Sequence, residues 1–205
     1  MKKKLLIIVL IVFIVALSTY FNYNRLEDIF KKGNSKNIED EENVDISYFQ
    51  MINQRYYSFL ASLRFSGSIF PSKSIYDLRN RPYSISLKGK NIVALLSDVG
   101  CNPCQIRELK NIDSLYQKKH KWINVFIIYD GMNKAESLYL KKISQVNFKF
   151  YYTKGYVYNG FNFTNNFPVI FFINDNIILS TLIAIPRDDA FSSHFYKTIS
   201  QNVGP

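Results

Sequence analysis

The sequence predicts an α/β sandwich around a partly parallel sheet, preceded by an N-terminal transmembrane segment. The fold class rests on short apolar stretches of strand length that alternate with amphipathic stretches of 13–16 residues. A turn signal, Asn174-Asp175-Asn176, between two further apolar stretches predicts a hairpin near the C-terminus. The transmembrane segment rests on basic residues 2–4 followed by an uncharged run over residues 5–23.

Composition narrows the class of protein. The chain has 205 residues, of which 47% are hydrophobic and 20% charged, which suits one ordinary domain plus an anchor or tail. Two cysteines are too few for a disulfide-dense scaffold, and two histidines are too few for a three-histidine metal site. The net charge is +10, but no arginine-rich tract or nucleic-acid motif accompanies it, so no nucleic-acid binding is expected.

Residues 1–23 are expected to be a signal-anchor. As a helix, the uncharged run would span about 28 Å, close to the ~30 Å hydrocarbon core, which favours an uncleaved single-pass anchor in the cytoplasmic membrane. A cleaved signal peptide, which would leave a secreted form, stays an alternative because the strictly apolar part ends at Leu17 and Ala16-Leu17-Ser18 resembles a cleavage site. Under either reading the C-terminal domain is expected to be extracytoplasmic, in the periplasm.

The remaining elements follow in order. Residues 24–45 are polar and charged and predict a linker, whereas 46–65 have apolar residues at helical spacing and predict a helix that packs on the domain 66–205. Strands are expected at 74–78, 83–87, 91–97, 122–129, 169–173 and 177–183, and helices at 105–120, 133–145 and 188–201. The aromatic residues of 151–163 form either a strand with core side chains or an exposed surface that holds a partner.

Both cysteines lie in one motif, Cys101-Asn102-Pro103-Cys104, where a buried strand is expected to end and a helix to begin. The free N–H groups and partial positive charge of a helix N-terminus stabilise a thiolate, which makes Cys101 the candidate nucleophile. Cys104, one turn further along the same face, could then attack a mixed disulfide made by Cys101. Pro103 is tolerated in a first turn. A structural disulfide would close too short a loop to stabilise much, and a metal would lack two nearby ligands, so no metal is expected.

In their order along the chain, these features resemble the thioredoxin fold. Within that fold they resemble the membrane-anchored TlpA/ResA-like thiol–disulfide oxidoreductases of the redoxin group. The resemblance covers about residues 66–201. The stretches that carry it are 67–71, 86–90, 91–97, the motif 101–104, Phe167-Pro168 and 173–177. It implies a thioredoxin-like three-layer sandwich with a mixed sheet, in which Cys101 attacks, Cys104 resolves, and a cis Pro168 presents the backbone of Phe167 to a bound substrate chain.

The sequence also departs from the group's pattern. Gly100 stands where an aromatic residue is usual, Phe167 where a small or β-branched residue is usual, and Asp98 where alanine is common. Asp98 either takes the proton of Cys104 or is a solvated loop residue. Asp98 also occupies the place of the threonine that a peroxiredoxin would need. Asn102-Pro103 lacks the histidine found in strong oxidants of this fold, which favours a reductant or exchange partner.

The resemblance implies an enzyme that reduces or exchanges disulfides in exported proteins through a dithiol. Its partners would be protein dithiols and disulfides of the cell envelope, its electrons would come from a membrane thiol carrier, and no bound cofactor is expected. The alternative is a membrane-tethered, thioredoxin-like binding module with little or no redox catalysis.

Overall fold

The computed structural model describes residues 38–158 and 167–204, which form four helices and seven strands. The helices are α1 (Ile38–Phe65), α2 (Asn102–Lys119), α3 (Lys134–Ser144) and α4 (Asp189–Asn202). The strands are β1 (Ile75–Asp77), β2 (Pro82–Tyr83), β3 (Lys90–Leu96), β4 (Asn124–Tyr129), β5 (Phe150–Tyr152), β6 (Val169–Asn174) and β7 (Ile177–Ile183). The chain divides into two compact units, Met1–Phe49 and Gln50–Pro205. Of the first unit, the described residues are the opening turns of α1.

One mixed sheet holds all seven strands, in the order β2-β1-β5-β4-β3-β6-β7. Strand β3 pairs in parallel with β4, and β4 with β5, so each connection needs a crossover, which α2 and α3 provide. Strands β6 and β7 form the antiparallel hairpin that the turn signal predicts, and Asp175 and Asn176 adopt the positive φ of a tight turn. The predicted partly parallel sheet is therefore confirmed.

Side chains of β3 alternate between two hydrophobic clusters, one on each face of the sheet. Ile92, Ala94 and Leu96 belong to the cluster that also contains residues of α2, α3 and α4. Val93 and Leu95 belong to the other cluster, which contains Ala61 and Phe65 of α1. Helices thus cover both faces, and the predicted three-layer sandwich is confirmed.

Several element bounds differ from the prediction. Helix α1 begins at Ile38, so it includes the last residues of the stretch predicted as linker. The strand predicted at 83–87 is limited to Pro82 and Tyr83, because its partner β1 is only three residues long and offers no further backbone to pair with. The aromatic residues Tyr151 and Tyr152 lie in a buried strand, β5, which is one of the two alternatives for that stretch.

The predicted membrane anchor and most of the predicted linker lie outside the described residues. Among residues 38–158 and 167–204, no helix combines the length and the apolar character that crossing a membrane needs.

A buried carboxylate joins α2 to α4. Glu108 is fully buried, and its side chain accepts hydrogen bonds from the hydroxyls of Ser192 at 2.8 Å and Tyr196 at 2.9 Å. It also accepts one from Nε of Arg107 at 2.8 Å. Burial, together with the neighbouring Glu108 carboxylate, raises the pKa of Tyr196 well above its usual value. Because this buried carboxylate takes hydrogen bonds from both helices, it holds α2 and α4 in one relative position.

A second carboxylate, Asp188, holds α1 against the start of α4. Arg55 on α1 donates two hydrogen bonds to Asp188, from Nε at 2.6 Å and from Nη2 at 2.9 Å. The same carboxylate caps α4 by accepting a bond from the backbone N–H of Phe191 at 3.1 Å. The hydrogen bonds from Arg55 lower the pKa of Asp188 below its usual 3.8.

Replacing Arg55 by methionine tests this attachment. Because the folded-state pKa of Asp188 is lowered, the pair stabilises the fold above the unfolded-state pKa, and that stability is lost as the pH falls through the folded-state value. We expect Arg55→Met to lower the free energy of unfolding by about 1–2 kcal/mol at neutral pH, since the arginine is partly exposed. We also expect the variant to lose less stability than the unaltered chain between about pH 6 and pH 3. Denaturant titrations at each pH measure both effects.

Arg81→Met is the matched control, because Arg81 pairs with Asp77 at an exposed position. It should change the free energy of unfolding by less than Arg55→Met does, because solvent screens an exposed pair. An equal loss in both variants would show that the Arg55–Asp188 pair has no special role.

Candidate functional site

The strand-to-helix junction that the sequence predicts is present at Cys101. Strand β3 ends at Leu96 and α2 begins at Asn102, with Cys101 as the N-cap residue in an extended conformation. Its Sγ accepts a hydrogen bond from the backbone N–H of Cys104 at 3.3 Å. A sulfur in this position faces the unpaired N–H groups and the positive end of the helix, and both favour the thiolate.

Cys101 and Cys104 form a disulfide, with their Cα atoms 5.3 Å apart. The two sulfurs differ in accessibility: Cys104 is 3% exposed, whereas Cys101 is half-buried. Asn102 and Pro103 between them are exposed. An approaching protein thiol or disulfide therefore reaches Cys101 first. The buried Cys104 can react only with the sulfur of Cys101.

A buried polar residue, Gln105, lies beside the motif and was not predicted as a site residue. Its amide nitrogen donates to the carbonyl of Ser97 at 2.9 Å and to Oδ1 of Asn102 at 3.4 Å. Its Oε1 is buried and accepts no hydrogen bond from any described residue. A polar residue on the inner face of the predicted helix was the signal available in the sequence.

Gln105 also gives a physical reason for the glycine before Cys101. A Cβ atom on Gly100 would lie 2.6 Å from Nε2 of Gln105 and 3.1 Å from the Ser97 carbonyl oxygen. Any side chain at position 100 would therefore displace the Gln105 amide. Position 100 therefore has no aromatic side chain because the Gln105 amide occupies the space that such a side chain would need.

Asp98 is half-buried and contacts two other loops. Oδ1 accepts a hydrogen bond from the hydroxyl of Tyr156 at 2.6 Å, and Oδ2 accepts one from the backbone N–H of Met132 at 3.2 Å. By accepting the hydrogen bond from the Tyr156 hydroxyl, the Asp98 carboxylate raises the pKa of Tyr156. These two contacts tie the loop before Cys101 to the loops that contain Met132 and Tyr156. Transfer of the Cys104 proton stays the other alternative for Asp98, because each oxygen can accept a second bond.

Asp130, at the end of β4, is a second carboxylate that sequence reasoning missed. It is 1% exposed and accepts bonds from the hydroxyl of Thr153 at 2.8 Å and from the backbone N–H groups of Val157 and Tyr158, both at 2.9 Å. Burial raises its pKa, although the three hydrogen bonds act in the opposite direction. Asp98 and Asp130 follow adjacent parallel strands, so they meet at one sheet edge. An aspartate directly after each of the predicted strands 91–97 and 122–129 was the signal available in the sequence.

Pro168 directly precedes β6, and its carbonyl accepts a bond from the backbone N–H of Ala184 at 3.0 Å. Because Val169 pairs with Leu95, Pro168 and the half-buried Phe167 lie at the sheet edge from which β3 continues towards Cys101. The described residues contain no cis peptide bond, so the cis Pro168 implied by the resemblance is wrong and the bond is trans. Trans is the lower-energy form even before proline.

The aromatic residues that suggested a partner-binding surface are mostly internal. Tyr151, Tyr152 and Tyr158 are buried, and Tyr156 is half-buried and bonded to Asp98. The remaining aromatic pair, in 159–166, lies outside the described residues. Within residues 38–158 and 167–204, no group of three or more His, Cys, Asp or Glu side chains could hold a metal ion.

Comparison with solved structures identifies the fold. The thioredoxin domain of a thiol-disulfide oxidoreductase from Bacteroides vulgatus is similar with a TM-score of 0.56 and 14% sequence identity, over 68% of this chain and 98% of that chain. The chain has a thioredoxin-like fold. No protein-family model matches the sequence, and comparison with curated proteins finds no match.

Two further structures show the same thioredoxin-like fold. A thiol:disulfide interchange protein from Bacteroides sp. has a TM-score of 0.54 and 14% identity, over 67% of this chain and 90% of that chain. The peroxidoxin BcpB from Mycobacterium tuberculosis has a TM-score of 0.53 and 11% identity, over 68% and 98%. The names of these proteins denote different activities, so at such low identities the similarity establishes the fold alone.

Substitutions at Asp98 and Tyr156 separate the two roles considered for Asp98. If Asp98 holds the loop, Tyr156→Phe lowers the free energy of unfolding, and Asp98→Ala lowers it at least as much. Asp98→Asn, which keeps an acceptor oxygen, should cost less. Denaturant titration gives the stabilities, and the pH dependence of thiol labelling at Cys101 and Cys104 gives the chemistry, which we expect to stay unchanged in Tyr156→Phe.

The opposite pattern would identify a proton acceptor. In that case Asp98→Asn would slow the attack of Cys104 as much as Asp98→Ala does, and Tyr156→Phe would have no effect on stability.

Proposed function

We propose that the protein is a thiol–disulfide oxidoreductase that reduces or exchanges disulfides in exported proteins. The observation that carries this proposal is the asymmetry of the Cys101–Cys104 pair at the N-terminus of α2. One sulfur is accessible and receives an N–H hydrogen bond, while the other is buried one turn away. A purely structural disulfide needs no such asymmetry, and a four-residue loop would contribute little stability.

The reaction follows from that geometry. In the reduced protein, the Cys101 thiolate attacks one sulfur of a substrate disulfide, so the substrate S–S bond breaks and a mixed disulfide forms. The other substrate sulfur leaves as a thiolate and takes a proton. Cys104 then attacks Sγ of Cys101, which forms the Cys101–Cys104 disulfide and releases the second substrate thiol. Two electrons pass from the protein to the substrate. Of the two protons that the substrate thiols gain, one is lost by Cys104 as it attacks and the other comes from the solvent, which took the proton of Cys101.

Neighbouring residues support each step. The Cys104 N–H stabilises the Cys101 thiolate before the attack. When Cys104 resolves, it attacks Sγ of Cys101 and the substrate thiolate is the leaving group. The burial of Cys104 protects it from outside disulfides, so it reacts with the mixed disulfide alone. Phe167 and Pro168 lie at the neighbouring strand end, where an extended substrate segment could pair with the backbone.

The proposed location is the outer side of the cytoplasmic membrane, with residues 1–23 as the anchor. The support is the basic flank and uncharged run in the sequence. In this setting a membrane thiol carrier returns the Cys101–Cys104 disulfide to the dithiol, and exported proteins are the substrates. The rival binding-module function receives no support from the aromatic residues that suggested it, because those described are mostly buried.

A redox titration of the full chain tests the proposed chemistry. In defined thiol–disulfide buffers, we expect Cys101 and Cys104 to titrate as one two-electron couple with a midpoint between roughly −120 and −270 mV. Cys101→Ser should abolish disulfide reductase activity. Cys104→Ser should instead accumulate a mixed disulfide, because the attack by Cys101 is retained and resolution is lost. A pair that stays oxidised well below about −300 mV, or activity that survives Cys101→Ser, would contradict the proposal.

The proposed location has its own test. A membrane-impermeant maleimide added to intact cells after mild reduction should label Cys101, and the chain should remain in the membrane fraction at its full mass of 24.0 kDa. A shorter chain in the soluble extracytoplasmic fraction would indicate cleavage of the N-terminal segment. Labelling that requires disrupted cells would place the domain in the cytoplasm and contradict the proposed location.

A further inference from the structure

Helix α1 carries apolar side chains on two opposite faces. One face packs on the sheet through Ala61 and Phe65, which are 0% and 6% exposed. The opposite face presents four large side chains, Ile52, Tyr56, Phe59 and Leu63, which are 44%, 58%, 55% and 60% exposed. We call these four residues the α1 stripe. Together they form the largest group of exposed apolar side chains from one element among the described residues.

The spacing of the α1 stripe is that of a helix-pairing seam. Its members are separated by four, three and four residues, which is the a/d repeat of helices that pack side by side. At 3.6 residues per turn this spacing keeps all four side chains on one narrow strip. Tyr57 is equally exposed, at 61%, but one residue along the helix places it about 100° away from the strip at Tyr56.

The exposed area is sufficient for pairing. With roughly 150–250 Å² for a large apolar or aromatic side chain, the α1 stripe and its immediate flank expose on the order of 500 Å² per chain. Monomeric proteins rarely leave a larger contiguous apolar patch in water. Two such stripes facing each other would bury about 1,000 Å² in total, which reaches the lower limit of specific protein–protein interfaces.

We propose that a second copy of this chain covers the α1 stripe, so that the protein is a homodimer joined through its α1 helices. The stripe is self-complementary, because two identical helices with the same spacing interdigitate about a two-fold axis at a shallow crossing angle. A lipid surface fits less well. A helix that lies on a membrane has a polar opposite face, whereas that face of α1 is in the core. Residues 38–49 also contain five acidic and no basic residues, which anionic lipids would repel.

Two matched substitutions test the dimer in the full chain, purified in detergent. Light scattering should give a protein mass of two chains, each of 24.0 kDa, for the unaltered protein. Tyr56→Glu places a charge in the seam and should give one chain. Tyr57→Glu changes the adjacent, equally exposed tyrosine off the seam and should leave two. Both side chains are exposed within one chain, so neither change should disturb the core.

Cysteine cross-linking locates the interface independently of any loss of mass. In a background with Cys101→Ser and Cys104→Ser, single cysteines at the four stripe positions are oxidised, with Tyr57→Cys as the control. At least one stripe position should form an inter-chain disulfide, and the control should not. A single-chain mass for the unaltered protein, or a dimer that survives Tyr56→Glu and cross-links at no stripe position, would overturn the proposal. Neither measurement depends on redox activity.

Discussion

Pairing of β3 on both of its edges determines where the Cys101–Cys104 site lies. This strand is bonded in parallel to β4 and antiparallel to β6, and its residues from Asn91 to Leu96 are buried. A shift of one residue in either register would move its side chains to the opposite faces of the sheet. Each side chain would then leave the hydrophobic cluster in which it is packed. The end of β3 is therefore held tightly, and the N-terminus of α2 with Cys101 is held with it.

The polar residues of the site lie at the edge of the sheet where β3 ends. Parallel strands β3 and β4 end side by side, so Asp98 and Asp130 lie in neighbouring loops although 32 residues separate them in sequence. Asp98 ties the loop before Cys101 to Met132 and Tyr156, and Asp130 orders the turn that contains Tyr156 through the N–H groups that follow it. A chain of hydrogen bonds thus runs from the core of the domain to the loop that presents the sulfurs.

On the helical side, buried charges hold the motif-bearing helix in place. Glu108 lies one turn after Cys104 and is satisfied by α4, and Arg107 beside it reaches Asp189 at the first turn of that helix. Asp188 connects the start of α4 to α1 across the molecule through Arg55. The helix that carries the motif is thus bonded to α4, whereas Cys101 is half-buried beside the exposed Asn102 and Pro103, which suits a reaction in which large partners approach one accessible sulfur.

Short-range patterns in the sequence determined the alternation of strands and helices, the hairpin at Asp175-Asn176, and the placement of Cys101 at a helix cap. Each depends on side-chain period, turn residues or capping within a few positions. Only the tertiary structure decided that Gln105 fills the space beside Gly100, that Asp98 bonds to Tyr156 and that Pro168 is trans. It also decided that one apolar face of α1 is left exposed by the residues that the structure describes. Those features depend on which distant segments of the chain come into contact. The topology of the whole sheet sets these contacts, so a local sequence pattern does not predict them.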